Sequence, residues 1–264
     1  VGFLGGSITQ GSLATKPENC YAYRVYRWWQ ETFPLSEITF INAGIGGTTS
    51  QFGVARVEED LLTFQPDFVL TEFSVNDENN VHFQETYEGL IRRILKSGAA
   101  LMLMNNVCYD TGCSAEEVHL EIARHYCLPS VSMKPTLYAA LLRREMQNRD
   151  ITPDDLHPND RGHELVAMVI CHLLESIRWA PWEKDPEELL PAPLTLNRYE
   201  GSRRYQNSNS VPICHGFVPD EAPQNHITEM FRHGFTAWKK GSTIEFAVEG
   251  SCIAVQYRKS VTKP

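Results

Sequence analysis

The sequence predicts an α/β fold: a three-layer α/β/α domain with a central parallel sheet over residues 1–180, then a linker and a partial β-rich segment over residues 181–264. Three observations predict it. Short apolar runs alternate with stretches of helical periodicity through the first 180 residues. Each run is almost continuously apolar, as strands covered on both faces must be. The texture changes around Trp182, where Pro181, Pro186, Pro191 and Pro193 follow one another. Acids outnumber bases by 23 to 14 up to residue 180 and match them at 10 each beyond it.

Residues 1–4 form the first strand, closed by Gly5-Gly6. Residues 20–33 place Ala22, Val25, Tyr26, Trp29 and Phe33 at three- and four-residue steps, a one-faced helix that Pro34 stops. Residues 38–42 are a β-branched strand before Gly44-Ile45-Gly46-Gly47, and 51–64 a helix through Phe52, Val57 and Leu61. The remaining strands are 68–73, 99–104 and 130–133. The remaining helices are 87–95, 115–126, 135–146 and 162–179. In the tail, 243–248 and 253–257 flank Glu249-Gly250-Ser251 as a β-hairpin. The aromatic helix (Tyr21, Tyr23, Tyr26, Trp28, Trp29) is read mainly as core, with an exposed ring near Ser7 as a place for a sugar face. Arg92-Arg93 and Arg143-Arg144 read as solvated helix faces.

Composition narrows the classes. With 42 % hydrophobic and 22 % charged residues the 264-residue chain folds rather than staying disordered. A net charge of −9 argues against nucleic-acid and anionic-membrane partners. No apolar run approaches the ~18–20 residues of a membrane span. The cysteines (Cys20, Cys108, Cys113, Cys127, Cys171, Cys214, Cys252) are odd in number and scattered, with no Cys-x-x-Cys, so neither a disulfide framework nor a zinc knuckle is expected. Cys171 and Cys252 read as small buried hydrophobes. Reduced thiols favour a cytoplasmic setting. Val1 opens inside a strand, so an upstream signal peptide and secretion stay open. His119 and His125 lie six apart, about 240° around a helix, and share no metal-binding face. No cofactor or metal is expected, and the oligomeric state is left open.

Open α/β sheets bind ligands beyond the carboxyl ends of their strands. Three segments fall at such ends: Gly5-Gly6-Ser7-Ile8-Thr9, Gly44-Ile45-Gly46-Gly47 and Ser74-Val75-Asn76-Asp77. A fourth, Asp154-Asp155-Leu156-His157-Pro158, precedes the last helix. Together they offer the parts of an acyl-transfer site. Ser7 supplies a hydroxyl that needs a base, His157 supplies the base, and Asp154 can fix its tautomer. Gly47 and Ser7 offer backbone N–H groups and Asn76 an amide for a developing oxyanion. Asp155 is the alternative orienting acid. Other readings fail on single residues. Ser12 stands where a phosphate loop needs Lys, and Thr49 where a dinucleotide fingerprint needs its third Gly. Ser7 is not in a Gly-x-Ser-x-Gly elbow.

With these four segments in this order, the chain resembles the SGNH (GDSL-like) hydrolase superfamily over about residues 1–180. Ser7, then Gly47 in Asn42-Ala43-Gly44-Ile45-Gly46-Gly47 (Gly46 as the fallback), Asn76, and Asp154 with His157 match its blocks. The resemblance implies a flavodoxin-like sheet and a Ser-His-Asp carboxylic ester hydrolase without a cofactor. The namesake Gly-Asp-Ser is here Gly5-Gly6-Ser7, and Ser74 replaces the usual Gly of the third block. Both departures look more like the branch that deacetylates plant polysaccharides. A short acyl group, acetyl above all, on a carbohydrate is therefore the expected ester, carried by a small-molecule or polysaccharide substrate. The alternatives are a lysophospholipase or thioesterase-like acylhydrolase, and a glycan-binding protein that has lost its chemistry.

Overall fold

A computed structural model describes residues 1–181 and 190–258. The chain forms two compact units, Val1–Ser202 and Arg203–Pro264. In the first, strands β1 (Gly2–Gly5), β2 (Ile41–Gly44), β3 (Phe68–Glu72), β4 (Ala100–Asn105) and β5 (Ser130–Ser132) make one parallel sheet in the order β2-β1-β3-β4-β5. The order reverses between β1 and β3. Their carboxyl ends therefore open a crevice, and the register sets Gly5 beside Glu72 there.

The continuous apolar runs are explained by alternation. Phe3, Leu70 and Met102 enter one core, with α2 (Tyr21–Thr32) and α8 (Asp160–Arg178) over it. Leu4, Val69 and Leu101 enter the other, beneath α3 (Ser50–Asp60), α4 (Val81–Lys96) and α5 (Glu116–His125). Short helices α1 (Ser7–Gln10), α6 (Ala139–Leu142) and α7 (Asn148–Ile151) occupy the loops. The rings of α2 are core and sheet contacts: Tyr21 packs on Phe3, Trp29 on Phe68, and Tyr23 and Tyr26 on Phe40.

Several boundaries differ from the sequence reading. Strand β2 starts at Ile41, not 38, because pairing with β1 begins at Gly2. Helix α4 starts at Val81 rather than 87, since the Asn80 side chain caps it by accepting the Phe83 N–H (3.1 Å). The expected helix 135–146 is a π-helical turn, Lys134–Tyr138, running into α6. It stops at Leu142, and Arg144 takes φ +60°.

Arg92 is not solvated; it is 7 % exposed. Residues 190–202, expected in the linker, run along α4 and supply its partners. Arg92 donates to Glu200 Oε2 (2.9 Å), the Pro191 carbonyl (2.7 Å) and Tyr126 Oη (3.0 Å). Buried Glu88 accepts the Thr195 N–H (2.8 Å) and hydroxyl, and Arg198 forks onto Glu85 (2.9 and 2.7 Å). The first unit thus reaches Ser202 instead of ending at 180.

The second unit is β-rich as expected, with different pairing. Strand β6 (Ile213–His215) pairs antiparallel with β9 (Thr243–Glu245), and β7 (Val218–Pro219) with β8 (Phe235–Thr236). The expected hairpin is absent among the described residues. Its first arm pairs with a segment 30 residues earlier, residues 252–258 form no strand, and Cys252 is exposed rather than buried. A local reading of strand-like runs assumes the nearest partner, and here a distant one wins.

Arg56 sets the carboxyl ends of β1 and β2. Its side chain is fully buried and donates to the Ala43 carbonyl (2.7 Å), the Gly5 carbonyl (3.1 Å) and Asp60 (2.8 Å). Breaking a buried ion pair by removing one member costs about 3–5 kcal/mol. Urea unfolding of Arg56→Ala should show a loss of that order, and an Arg56→Met/Asp60→Leu double variant should recover most of it.

Candidate active site

Ser7 opens α1 directly beyond β1, and Asn76 lies in the loop beyond β3, so both flank the crevice. Gly6 makes their approach possible: a Cβ there would lie 2.3 Å from Asn76 Oδ1. Ser7 Oγ is 2.8 Å from His157 Nε2, and His157 Nδ1 is 2.7 Å from Asp154 Oδ2. A carboxylate only accepts, so Nδ1 carries a proton and Nε2 is left to accept the Ser7 hydroxyl. The three side chains predicted as a relay are joined in that order.

The Asp154 carboxylate is well held. Oδ1 accepts the backbone N–H of His157 (2.8 Å) and Leu156 (3.1 Å), besides the ring bond on Oδ2. Partial burial would raise this carboxyl. The His157 ring and those two N–H groups outweigh it and pull it down to about 2, so Asp154 is anionic throughout the working range. Asp155 is excluded as the orienting acid. Its carboxylate is engaged by Asn148 (2.9 Å) and Arg149 (2.9 and 2.7 Å).

The glycine segment lies against α1. Asn42 donates to the Thr9 carbonyl (2.8 Å) and accepts the Gly44 N–H (2.9 Å), while the Gly46 N–H goes to Gln10 Oε1 (3.1 Å). A Cβ on Gly46 would lie 3.6 Å from Ser7 Cβ, so the segment borders the nucleophile position. With Gly46 engaged, Gly47 is the better of the two donors. It is exposed at φ +70°, a conformation that favours glycine, and its N–H has no acceptor among the described residues. The Ser7 N–H and the Asn76 side-chain amide likewise have no acceptor among the described residues, while the Asn76 backbone N–H goes to the Phe73 carbonyl (3.0 Å).

The sequence reading missed the braces that close this arrangement. On α8, Asp160 accepts the N–H (2.8 Å) and hydroxyl (2.6 Å) of Thr15 and the Asn19 amide (2.8 Å). His163 Nδ1 accepts the Tyr21 N–H (3.3 Å), and its Nε2 donates to the Ser12 carbonyl (3.3 Å). Burial pushes His163 down to about 4, so the ring is neutral as these bonds require. Both residues follow His157 closely, so they bind the histidine segment to the chain just after Ser7.

Beneath the crevice, fully buried Glu72 takes the N–H (3.1 Å) and hydroxyl (3.0 Å) of Ser74 on Oε1. The Ser74 hydroxyl in turn accepts the Asn106 N–H (2.7 Å). Asn106 Oδ1 accepts the Tyr109 hydroxyl (3.0 Å), and the Tyr109 N–H reaches the Asp155 carbonyl (2.7 Å). One chain of bonds connects the asparagine loop, the loop beyond β4 and the histidine loop.

A serine–histidine–aspartate relay of this geometry, at the switch point of a parallel sheet, is the arrangement that serine hydrolases use for acyl transfer. The family model for GDSL-like lipases and acylhydrolases matches residues 3–165, and the chain belongs to that family. Among solved structures it is similar to a two-domain esterase active on acetylated mannans, at 56 % identity over 92 % of this chain, with a TM-score of 0.86. The same esterase co-crystallised with mannopentaose matches with a TM-score of 0.84. The chain spans 66 % of the length of these structures. A catalytic mutant of an acetylxylan esterase from Geobacillus stearothermophilus shares the fold at 21 % identity, covering 65 % of this chain and 91 % of that one, with a TM-score of 0.55. A comparison with the curated proteins finds no match. No described helix is long and apolar enough to cross a membrane.

Burial lifts the Glu72 carboxyl to about 7 against the partial opposition of its Ser74 bonds. The folded state therefore holds a proton that the unfolded chain releases near 4.5. Stability from this group is complete below that pH and is lost as pH rises towards 7. Each tenfold change in proton affinity is worth ~1.4 kcal/mol, so the loss approaches ~3 kcal/mol. Subtracting the Glu72→Gln unfolding profile from the native one between pH 4.5 and 8 should isolate this slope. Parallel profiles would mean that Glu72 is already ionised when folded.

Proposed function

We propose that the chain is a serine ester hydrolase that removes acetyl groups from a carbohydrate through a covalent acyl-enzyme. The observation that carries the reading is the unbroken relay from Ser7 Oγ through His157 to Asp154, at 2.8 and 2.7 Å. Ser7 Oγ attacks the ester carbonyl while His157 Nε2 takes its proton, and anionic Asp154 stabilises the imidazolium. The N–H groups of Ser7 and Gly47 and the Asn76 amide bind the oxyanion. His157 then returns its proton to the leaving sugar hydroxyl. Water, deprotonated by His157, attacks the acetyl-Ser7 carbonyl, releasing acetate and restoring the serine.

Support for acetyl on a carbohydrate comes from the 56 % identity to the acetylated-mannan esterase, which extends across both units. The catalytic unit is the first of the two, and the β-rich second unit is its accessory module.

Removal of any member of such a relay costs several orders of magnitude in turnover. Ser7→Ala should reduce acetate release about 10³-fold or more and abolish labelling by a fluorophosphonate, with its unfolding midpoint little changed. Retention of native esterase rates by this variant would refute the assignment.

Substrate class is tested separately. A p-nitrophenyl ester series should fall steeply from acetate to octanoate, and acetylated mannan and xylan should release acetate in the presence of the native protein alone. Preference for C8 or longer chains would favour a lysophospholipase or thioesterase-like acylhydrolase. Glycan binding without acetate release or Ser7 labelling would favour a binding protein.

A further inference from the structure

We infer that His119 is a positioning residue for the oxyanion donors, acting through Asp77; this rests on the esterase reading above. His119 lies on α5, outside all four motif segments, and its side chain is fully buried. Its Nε2 is 3.1 Å from Asp77 Oδ2, and the Asp77 carboxylate is equally buried. Asp77 directly follows Asn76 in the chain. Its other oxygen, Oδ1, accepts the N–H of Ser50 (2.8 Å), the first residue of α3 and three residues beyond Gly47. A single carboxylate thus ties the loop bearing the Asn76 amide to the loop bearing the Gly47 N–H.

The histidine is itself fixed. Its ring stacks on Tyr87 with centroids 3.8 Å apart and planes 22° apart, and the Tyr87 hydroxyl is held by Thr71 (2.8 Å). Its backbone N–H goes to the Ala115 carbonyl (3.2 Å), and the Ala115 N–H to the Ser74 carbonyl (2.7 Å), so the start of α5 is pinned to the asparagine loop. Behind Ser50, its hydroxyl meets Thr86 of α4 (2.7 Å). Among the described residues His119 Nδ1 has no hydrogen-bond partner, so the bond to Asp77 is the ring's one hydrogen bond there. Because a carboxylate only accepts, Nε2 carries the proton of that bond.

Without this donor, a buried carboxylate loses one of its two side-chain-fixing bonds and turns or draws in water. The Ser50 bond loosens with it, and the Gly47 and Asn76 donors lose their common anchor. Their bonds matter most when the carbonyl oxygen becomes anionic, so the loss falls on kcat rather than on substrate binding. Displacing a reacting geometry by about 1 Å costs on the order of 100-fold.

The experiment compares native protein with His119→Leu, His119→Asn and His119→Gln on p-nitrophenyl acetate, with active sites titrated by a fluorophosphonate. Phenylboronic acid, which adds reversibly to a serine hydroxyl as a tetrahedral anion, reports the oxyanion donors directly. His119→Leu, which has the bulk without the donor, should lower kcat about 100-fold with KM within threefold, and weaken phenylboronic acid in proportion. His119→Asn, polar but too short to reach Asp77, should behave alike if His119→Leu folds poorly. His119→Gln, whose amide can take the place of Nε2, should recover most of both. Native kcat and boronate affinity in His119→Leu and His119→Asn overturn the inference. So does a loss that vanishes once rates are scaled to titrated sites. Native protein with neither turnover nor labelling would instead sink the esterase reading, and this inference with it.

Discussion

The hydrogen bond between Ser7 and His157 joins residues 150 positions apart, and every other part of the site presupposes it. Neither residue is held there by its own segment: α1 has four residues, and the histidine lies in a loop. What closes the span is the docking of α8, through Asp160 and His163, on the chain that follows α1. The parallel sheet supplies the first alignment by bringing the ends of β1 and β3 side by side, and the helix supplies the second.

The carboxyl edge of this sheet carries several buried polar side chains. Arg56 spans β1 and β2, Glu72 lies at the end of β3, and Asp77 follows within five residues. Apolar groups of the same volume would often make a more stable protein, since desolvating charge is costly. Each of these groups, however, fixes backbone at the rim of the sheet: Arg56 holds the Gly5 and Ala43 carbonyls at two strand ends, Glu72 the Ser74 N–H of a loop and Asp77 the Ser50 N–H at a helix start. Their directional bonds fix positions that dispersion packing alone leaves loose. The trade is placed where site geometry is most sensitive to it.

Much of this was legible in the chain. Strands β1, β3 and β4 could be found because alternate residues of each enter different cores, which keeps their runs apolar, whereas β2 and β5 carry the polar Asn42, Ser130 and Ser132 and stand out less. Ser7, Asp154 and His157 could be found because each motif is local and carries its own chemistry. Arg92 could not: an arginine on a helix reads as solvated, and its partners Pro191 and Glu200 lie about 100 residues away. The pairing of β6 with β9 was hidden for the same reason, and so were Asp160 and His163, whose bonds cross about 140 residues. Local periodicity records which face of an element is covered, and it carries no record of what covers it.

The run of chain along α4 has a practical corollary for anyone isolating the first unit. A cut at residue 180, where helical periodicity ends and prolines begin, would strip Glu88 and Arg92 of their partners between residues 191 and 200 and leave them Tyr126. The shortened fragment would present two desolvated, opposite charges to a groove opened beside them, on a helix whose other face is bedrock of the core. An excision meant to keep the fold intact belongs after Ser202, some twenty residues later than sequence texture alone would place it.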